Sequence, residues 1–528
     1  GLVISAATIA GPAAPAAFAA NEPLSGSGSS WSANAMQQWT SDESSRGVTV
    51  NFASNSSGAG RQAFSVFQDD FANSDIPYQG QDPLTGTYDA SNNRKFAYMP
   101  IIAGGTSLMY QLNQGGKRIE NVRLSGQTIA KIFTGVIKMW NDPQITSDMN
   151  GQALPAKRIQ VVVASGGSGT TAQFTDWMSK TYGSIWGSYA GANQPTSYYP
   201  VNAPNITSQG NDASIAGAIA SSGGDGSIGY VQYSYALNSN FPVVKVLNGA
   251  GYFSAPTPYN VAVALTQAQI DTTDVNDQTK YLTQQLAGVY SNGDPRSYPL
   301  SSYSYMIIPT DPADTRTDAG KASTFANFSY FFLCEGQQEA PQLGYSPLPL
   351  NLVGAGFNQV KRFSHIQPSD LQNKDATTCN NPTFDPAHPT ANRLAEIDPA
   401  PPACDHVGQG PCGGIPTNST GPGGGSGSGS GAGKGNAAAN GSNGNGSNGA
   451  GGPNSGINPQ TGLPYGGDTG SGSASNGATA SQLAAFRSGG STTVMGVLAA
   501  IELVLVLLVP AFVARAVSRR RARGQGGR

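Results

Sequence analysis

The residues in this chain best suited to chemistry are hydroxyls and backbone amides gathered in glycine-rich turns. Residues 161–180 read VVVASGGSGTTAQFTDWMSK. A β-branched run, Val161 to Val163, enters a turn holding Gly166, Gly167 and Gly169, and a helix opened by Ser168, Thr170 or Thr171 follows. That order points several N–H groups and the positive end of a helix dipole at one spot, which suits an anion. A tight turn with a polar N-cap reads equally well from this stretch alone. A Walker-type phosphate loop is absent, because no Lys follows the glycines.

Similar stretches lie upstream. LSGSGSSWSANAMQQWT (24–40) predicts a Gly/Ser turn from Ser25 to Ser30 and a helix from Trp31 to Trp39. Val48 to Ala53 alternates like a strand and runs into SNSSGAGRQAF (54–64), a polar turn that opens a helix. Phe71 to Asp75 reads as a short strand ending on a carboxylate. In α/β sheets such turns gather at the carboxyl edge, where ligands bind. Enzymatic readings fare worse. The three histidines, His365, His388 and His406, all come later, and no Ser/His pairing, HExxH or GxSxG occurs. A carboxylate-based phosphatase lacks a second acid to go with Asp75. The expectation is a binding protein, not an enzyme, with no metal or cofactor.

Composition divides the rest of the chain. A net charge of −2 over 528 residues leaves no basic footprint for nucleic acid. Residues 1–20, GLVISAATIAGPAAPAAFAA, read as a signal-peptide remnant, with Ala17-Phe18-Ala19 and Ala20 fitting a peptidase site; an Ala/Pro leader is the alternative. Residues 366–416 form a Pro-rich extension with three of the four cysteines, Cys379, Cys404 and Cys412. With Cys334 they make an even set on the exported side, where disulfides are expected in one of three connectivities. A zinc site at Cys404, His406 and Cys412 lacks standard ligand spacing.

Residues 417–490 are a Gly/Ser/Asn-rich linker without core-forming capacity, with a mean reach of about 50 Å. Val494 to Ala514 is apolar and long enough to span a membrane, with Glu502 inside it. Arg515, Arg519, Arg520, Arg521, Arg523 and Arg528 follow, so residues 515–528 are expected in the cytoplasm and the bulk outside. No LPxTG precedes the span, which argues against covalent attachment to a cell wall.

GSGSSW, SNSSGAGR, NSDIP and SGGSGTT resemble, in order and spacing, the phosphate-binding protein of bacterial phosphate ABC transporters. LSGQTIAKIFTGVIKMWNDPQI (124–145) is similar to that family's signature, with Thr128, Gly135, Trp140 and Asp142 in register. GNDASIAGAI (210–219), GSIGYVQYSYA (226–236) and SYMIIP (304–309) match later segments. The resemblance covers roughly residues 24–365. It implies an α/β, two-lobed type II periplasmic-binding-protein fold. One lobe would hold about 24–105 and 245–365, the other about 106–244. Strand-like FAYMPII (96–102) and YFSAPTPYNVAVAL (252–265) are candidate hinges.

The resemblance implies that a monomer captures inorganic phosphate, or a similar oxyanion, and delivers it to an ABC permease. It assigns ligand contacts to Ser30, Trp31 (through its N–H), Ser56 and Asp75 in one lobe, and to Ser168, Gly169 and Thr170 in the other. Asp75 would accept the proton of a protonated phosphate and so reject sulfate; a turn cap ahead of Pro77 is its other reading. The family has an Arg, and an Asp two residues on, where this chain has Ala164 and Gly166. A hydrogen bond to a charged group is worth roughly 1.5–3 kcal/mol, so that loss implies weaker binding. Arg61 is a possible substitute charge or simply a solvated helix residue. The alternative function is a surface interaction or sensing module with an altered cleft.

Overall fold

The computed structural model describes residues 21–413. The signal remnant, the linker, the apolar span and the basic tail lie outside them. Among the described residues no helix is long and apolar enough to cross a membrane.

Eight strands make the main sheet: β1 Leu24–Gly28, β2 Val50–Ser54, β3 Phe71–Ser74, β4 Phe96–Tyr110, β5 Gln160–Ala164, β6 Ile206–Gln209, β7 Ser227–Gln232 and β8 Ser301–Pro309. Their order across the sheet is β6-β5-β7-β4-β8-β3-β1-β2. The helices that matter here are α1 Ala33–Ser44, α2 Ser57–Ser65, α3 Gly126–Phe133, α4 Gly169–Thr181, α5 Asp212–Ala220, α6 Pro258–Leu265, α7 Ala319–Phe332 and α8 Arg393–Ile397. Parallel pairing joins β1 to β2 and β3, and β5 to β6 and β7. Strand β4 links the two groups. Its first part pairs with β8 as far as Gly105, and its end, from Thr106, pairs with β7. All 15 of its residues are buried. Its apolar run from Phe96 to Ala103 fits a strand covered on both faces.

Two elements differ from the expectations. Ser25 to Ser30 is not a turn throughout, because β1 occupies Leu24–Gly28. Glycine serves close packing there: a Cβ at Gly26 would meet the Phe71 ring, and one at Gly28 would meet the Asn73 backbone. The turn is confined to the residues after β1, and α1 starts at Ala33 instead of Trp31. The second difference is YFSAPTPYNVAVAL, which reads as strand by its apolar run but forms α6 over Pro258–Leu265. Thr257 caps it by accepting from the Asn260 N–H, and Pro258 takes the first helical position, where its missing N–H costs nothing.

The signature segment 124–145 is scaffolding. Ser125 caps α3, and Thr128 donates from Oγ1 to Asp148 at 2.5 Å. Trp140 donates from Nε1 to the Gly226 carbonyl at 2.9 Å, and Asp142 caps the helix Pro143–Asp148.

Residues 366–413 form a strap along this body. Cys334, just after α7, is bonded to Cys379, and Cys404 to Cys412. Helix α8 sets Leu394 and Ala395 against Tyr259, Ala262 and Val263 of α6. The far end is held by Arg123, which is 1% exposed. Its guanidinium donates to the carbonyls of Asp148 (2.8 Å), Cys404 (2.9 Å) and Gln409, and lies over the Phe253 ring. Lys245 pairs with Asp405 at 2.6 Å. An Arg123→Ala variant would leave three carbonyls without this donor. It should lose about 2–4 kcal/mol of stability by urea unfolding, whereas Asn150→Gly, which removes one exposed bond to the Gly410 carbonyl and suits the positive φ of that position, should lose under about 1 kcal/mol.

Candidate functional site

Three helices begin at one place. Ser56, Ser168 and Asn211 are the N-caps of α2, α4 and α5, and each side chain accepts from an amide three residues on: Ala59, Thr171 and Ser214. Short polar side chains after strand ends explain these starts. The first-turn amides of Ser57, Gly169 and Thr170 have no acceptor within their own helices. Each N-terminus also carries roughly half a positive charge.

Two carboxylates fill the space they face. Asp75 is 2% exposed and Asp212 is fully buried. The Asp75 Oδ1 accepts from the hydroxyls of Ser29 (2.6 Å) and Ser304 (2.8 Å), and Oδ2 accepts from that of Ser57 (3.0 Å). The Asp212 Oδ1 accepts from the hydroxyls of Ser30 (2.9 Å) and Thr170 (3.3 Å), and Oδ2 accepts from the Gln232 N–H (2.9 Å). Burial raises the Asp75 carboxyl above its ordinary value, against the three serine hydroxyls, which lower it. Burial likewise pushes Asp212 up to about 6, opposed by its donors and reinforced by the negative charge of Asp75.

The two parts of the chain close on each other here. The Gly58 N–H donates to the Gly167 carbonyl at 2.8 Å, and Gln173 of α4 donates to the Asp75 carbonyl at 2.8 Å. Gly169 sits so close to Asp75 and Ser57 that a Cβ would collide with the carboxylate and the hydroxyl.

The residues expected at the site fall into three groups. Ser30 and Thr170 meet on Asp212, and Gly169 packs on Asp75. Trp31 and Ser168 lie beside them with local duties. The Trp31 N–H donates to the Ser29 hydroxyl at 3.1 Å, and the Ser168 hydroxyl accepts the Thr171 N–H at 3.2 Å. Ser56, half-buried, holds the Ala59 N–H at 3.2 Å, and its neighbour Ser57 is the one that reaches Asp75. Arg61 is buried, not solvated. Its Nε faces both Asp89 oxygens (3.1 and 2.9 Å), and Nη1 donates to Ser74 at 2.7 Å. A cavity of about 210 Å³ beside it is lined by Asp82, Asp89 and Tyr198 among others.

Sequence reasoning missed Ser29, Ser57, Asp212 and Ser304. Ser29 and Ser57 each adjoin a predicted contact, and residue order alone does not say which of two adjacent serines points inward. Asp212 and Ser304 stand in GNDASIAGAI and SYMIIP, segments that matched the family without an assigned role. Asp212 is also the second acid that no motif located.

Comparison with known proteins gives the family. The sequence profile of the PBP superfamily domain matches residues 10–334. Phosphate-binding protein PstS 2 of Mycobacterium tuberculosis is 29% identical over 331 residues, covering 62% of this chain and 83% of that protein. Phosphate-binding protein PstS of Xylella fastidiosa is 29% identical over 337 residues, covering 62% and 82%. Among solved structures, a high affinity periplasmic phosphate-binding protein bound with phosphate superposes with a TM-score of 0.50 at 17% identity, covering 69% of this chain and 97% of that one. With a two-group α/β sheet, helix N-termini meeting at one place and a profile match over most of its length, the chain belongs to the PBP superfamily and is similar to its PstS phosphate-binding proteins.

Proposed function

We propose that this protein captures inorganic phosphate outside the cell and presents it to an ABC permease, binding without catalysis. One observation carries the reading: a buried carboxylate, Asp75, ringed by three serine hydroxyls and packed against Gly169 at the start of α4. Amides and hydroxyls offer donors to unprotonated oxygens, and the carboxylate offers an acceptor to a protonated one. Phosphate and arsenate carry both kinds of oxygen near neutral pH, and sulfate carries one kind. The curated relatives named as phosphate-binding proteins support the same ligand. Ser30, Trp31, Ser56, Ser168, Gly169 and Thr170 complete the contact set in this proposal, with Val494 to Ala514 as a single-pass anchor and the basic tail cytoplasmic.

The second reading, an interaction or sensing module with a weak or altered cleft, rests on Ala164 and Gly166. The charged pair of the family is missing there, and Arg61 is committed to Asp89 at 2.9 Å. An ABC permease and ATPase encoded beside this chain would favour the first reading, and their absence the second.

Calorimetry on the full chain separates the two. Phosphate and arsenate should give saturable heat and sulfate none; no heat with any oxyanion leaves only the second reading. Asp75→Ala should weaken phosphate about a hundredfold or more. Gly169→Ala adds a methyl where the lobes meet. It should weaken phosphate about tenfold or more and enlarge the radius of gyration in small-angle scattering, because the cleft no longer shuts.

A further inference from the structure

Charge at the cleft does not favour a dianion. Three helix N-termini supply about half a positive charge each, and Asp75 with Asp212 supplies two negative charges when ionised. Among the described residues no Lys or Arg bonds to either carboxylate. The guanidinium on α2, Arg61, reaches Ser74 and Asp89 instead. A second negative charge on the ligand would therefore enter a site whose positive field is already used. Such repulsion is strong where water is excluded.

Building on the phosphate reading, we propose that the cleft selects the singly charged, twice-protonated form, dihydrogen phosphate, with Asp212 accepting one P–OH as Asp75 accepts the other. The hydrogen-bonding groups suit this ligand. With the cleft shut, the hydroxyls of Ser30 and Thr170 donate to Asp212, and those of Ser29, Ser57 and Ser304 to Asp75. When phosphate arrives, hydroxyls such as Ser30, Ser57 and Thr170 turn to its two unprotonated oxygens. Each carboxylate then receives a P–OH in place of the donors it gave up. Hydrogen phosphate has a single P–OH, so one buried carboxylate would face a bare oxygen and a charge of the same sign. No bond is made or broken beyond hydrogen bonds.

The surroundings leave few groups to titrate. The tyrosines near the two acids are Tyr230, Tyr235, Tyr305 and Tyr345, and burial raises all four, so they stay neutral. The Gln232 amide, the serine hydroxyls and Thr170 do not ionise. Phosphate, Asp75 and Asp212 are what remains. On the alkaline side the fraction of dihydrogen phosphate falls tenfold per pH unit above the second ionisation, and affinity should follow.

The test is calorimetry of the full chain with sodium phosphate from about pH 5 to pH 9, in pairs of buffers of different ionisation heat. Affinity should decline about tenfold per unit at the alkaline end, with uptake of one proton per phosphate bound there. Asp212→Asn removes the charge that excludes the dianion. Whatever its affinity near neutrality, it should show a flatter alkaline slope, read as the ratio of its own affinities at pH 7 and pH 9. Phosphate affinity that holds or rises into alkali without proton uptake overturns the inference and leaves the phosphate reading standing. A slope unchanged in Asp212→Asn overturns the part assigned to Asp212. An absence of phosphate heat at every pH removes both. If Asp212→Asn does not fold, as judged by its thermal melt, proton uptake by the unmodified chain still decides.

Discussion

Two carboxylates held out of water govern how this molecule closes. A buried charge is tolerated only where hydrogen bonds replace its hydration. For Asp75 and Asp212 those bonds come from hydroxyls and an amide rather than from cations. Their partners lie far apart in the chain: Ser30 reaches Asp212 across 182 residues, and Ser304 reaches Asp75 across 229. Ser30 reaches Asp212 from the other half of the fold, so solvating that acid internally and bringing the halves together are one event. Helix starts contribute the field that makes it affordable.

The architecture supplies what that event needs. Parallel strands β1, β2 and β3 end side by side, as do β5, β6 and β7, so the turns after them converge. Strand β4 keeps the two groups in one register through the change of partner at Gly105 and Thr106. Small residues do the rest. Gly28 lets β1 lie against β3, and Gly169 lets α4 start against Asp75. Serine suits the lining because a short hydroxyl both donates and accepts, and it switches partner by rotating one bond.

Much of this was legible in the sequence, and the failures have physical causes. The run Val161 to Val163 with Ser168 gave β5 and the start of α4, since a β-branched strand and a capping serine act locally. Asp75 stood out because a carboxylate closes a short apolar strand. By contrast, Ser25 to Gly28 looked like a turn on composition, and the demand for glycine came from Phe71 and Asn73, residues distant in sequence. Helix α6 was hidden behind an apolar run, although Thr257-Pro258 was a readable start signal. Asp212 and Ser304 carried no local mark at all, because their importance lies in what folds against them. Arg61 beside a glycine turn suggested a free charge, and Asp89, on a later two-residue strand, claims it. The pairing of four cysteines was likewise a tertiary fact.

The strap has a mechanical corollary. Arg296 grips the carbonyls of Ala395 and Asp398, and Arg123 grips that of Cys404. Between those grips run Pro399, Ala400, Pro401, Pro402 and Ala403. Proline fixes φ, so such a piece behaves as a stiff strut, about 3.1 Å per residue when extended. A strut spanning two clamps resists compression as well as stretch, so it fixes the spacing between Arg123 and Arg296.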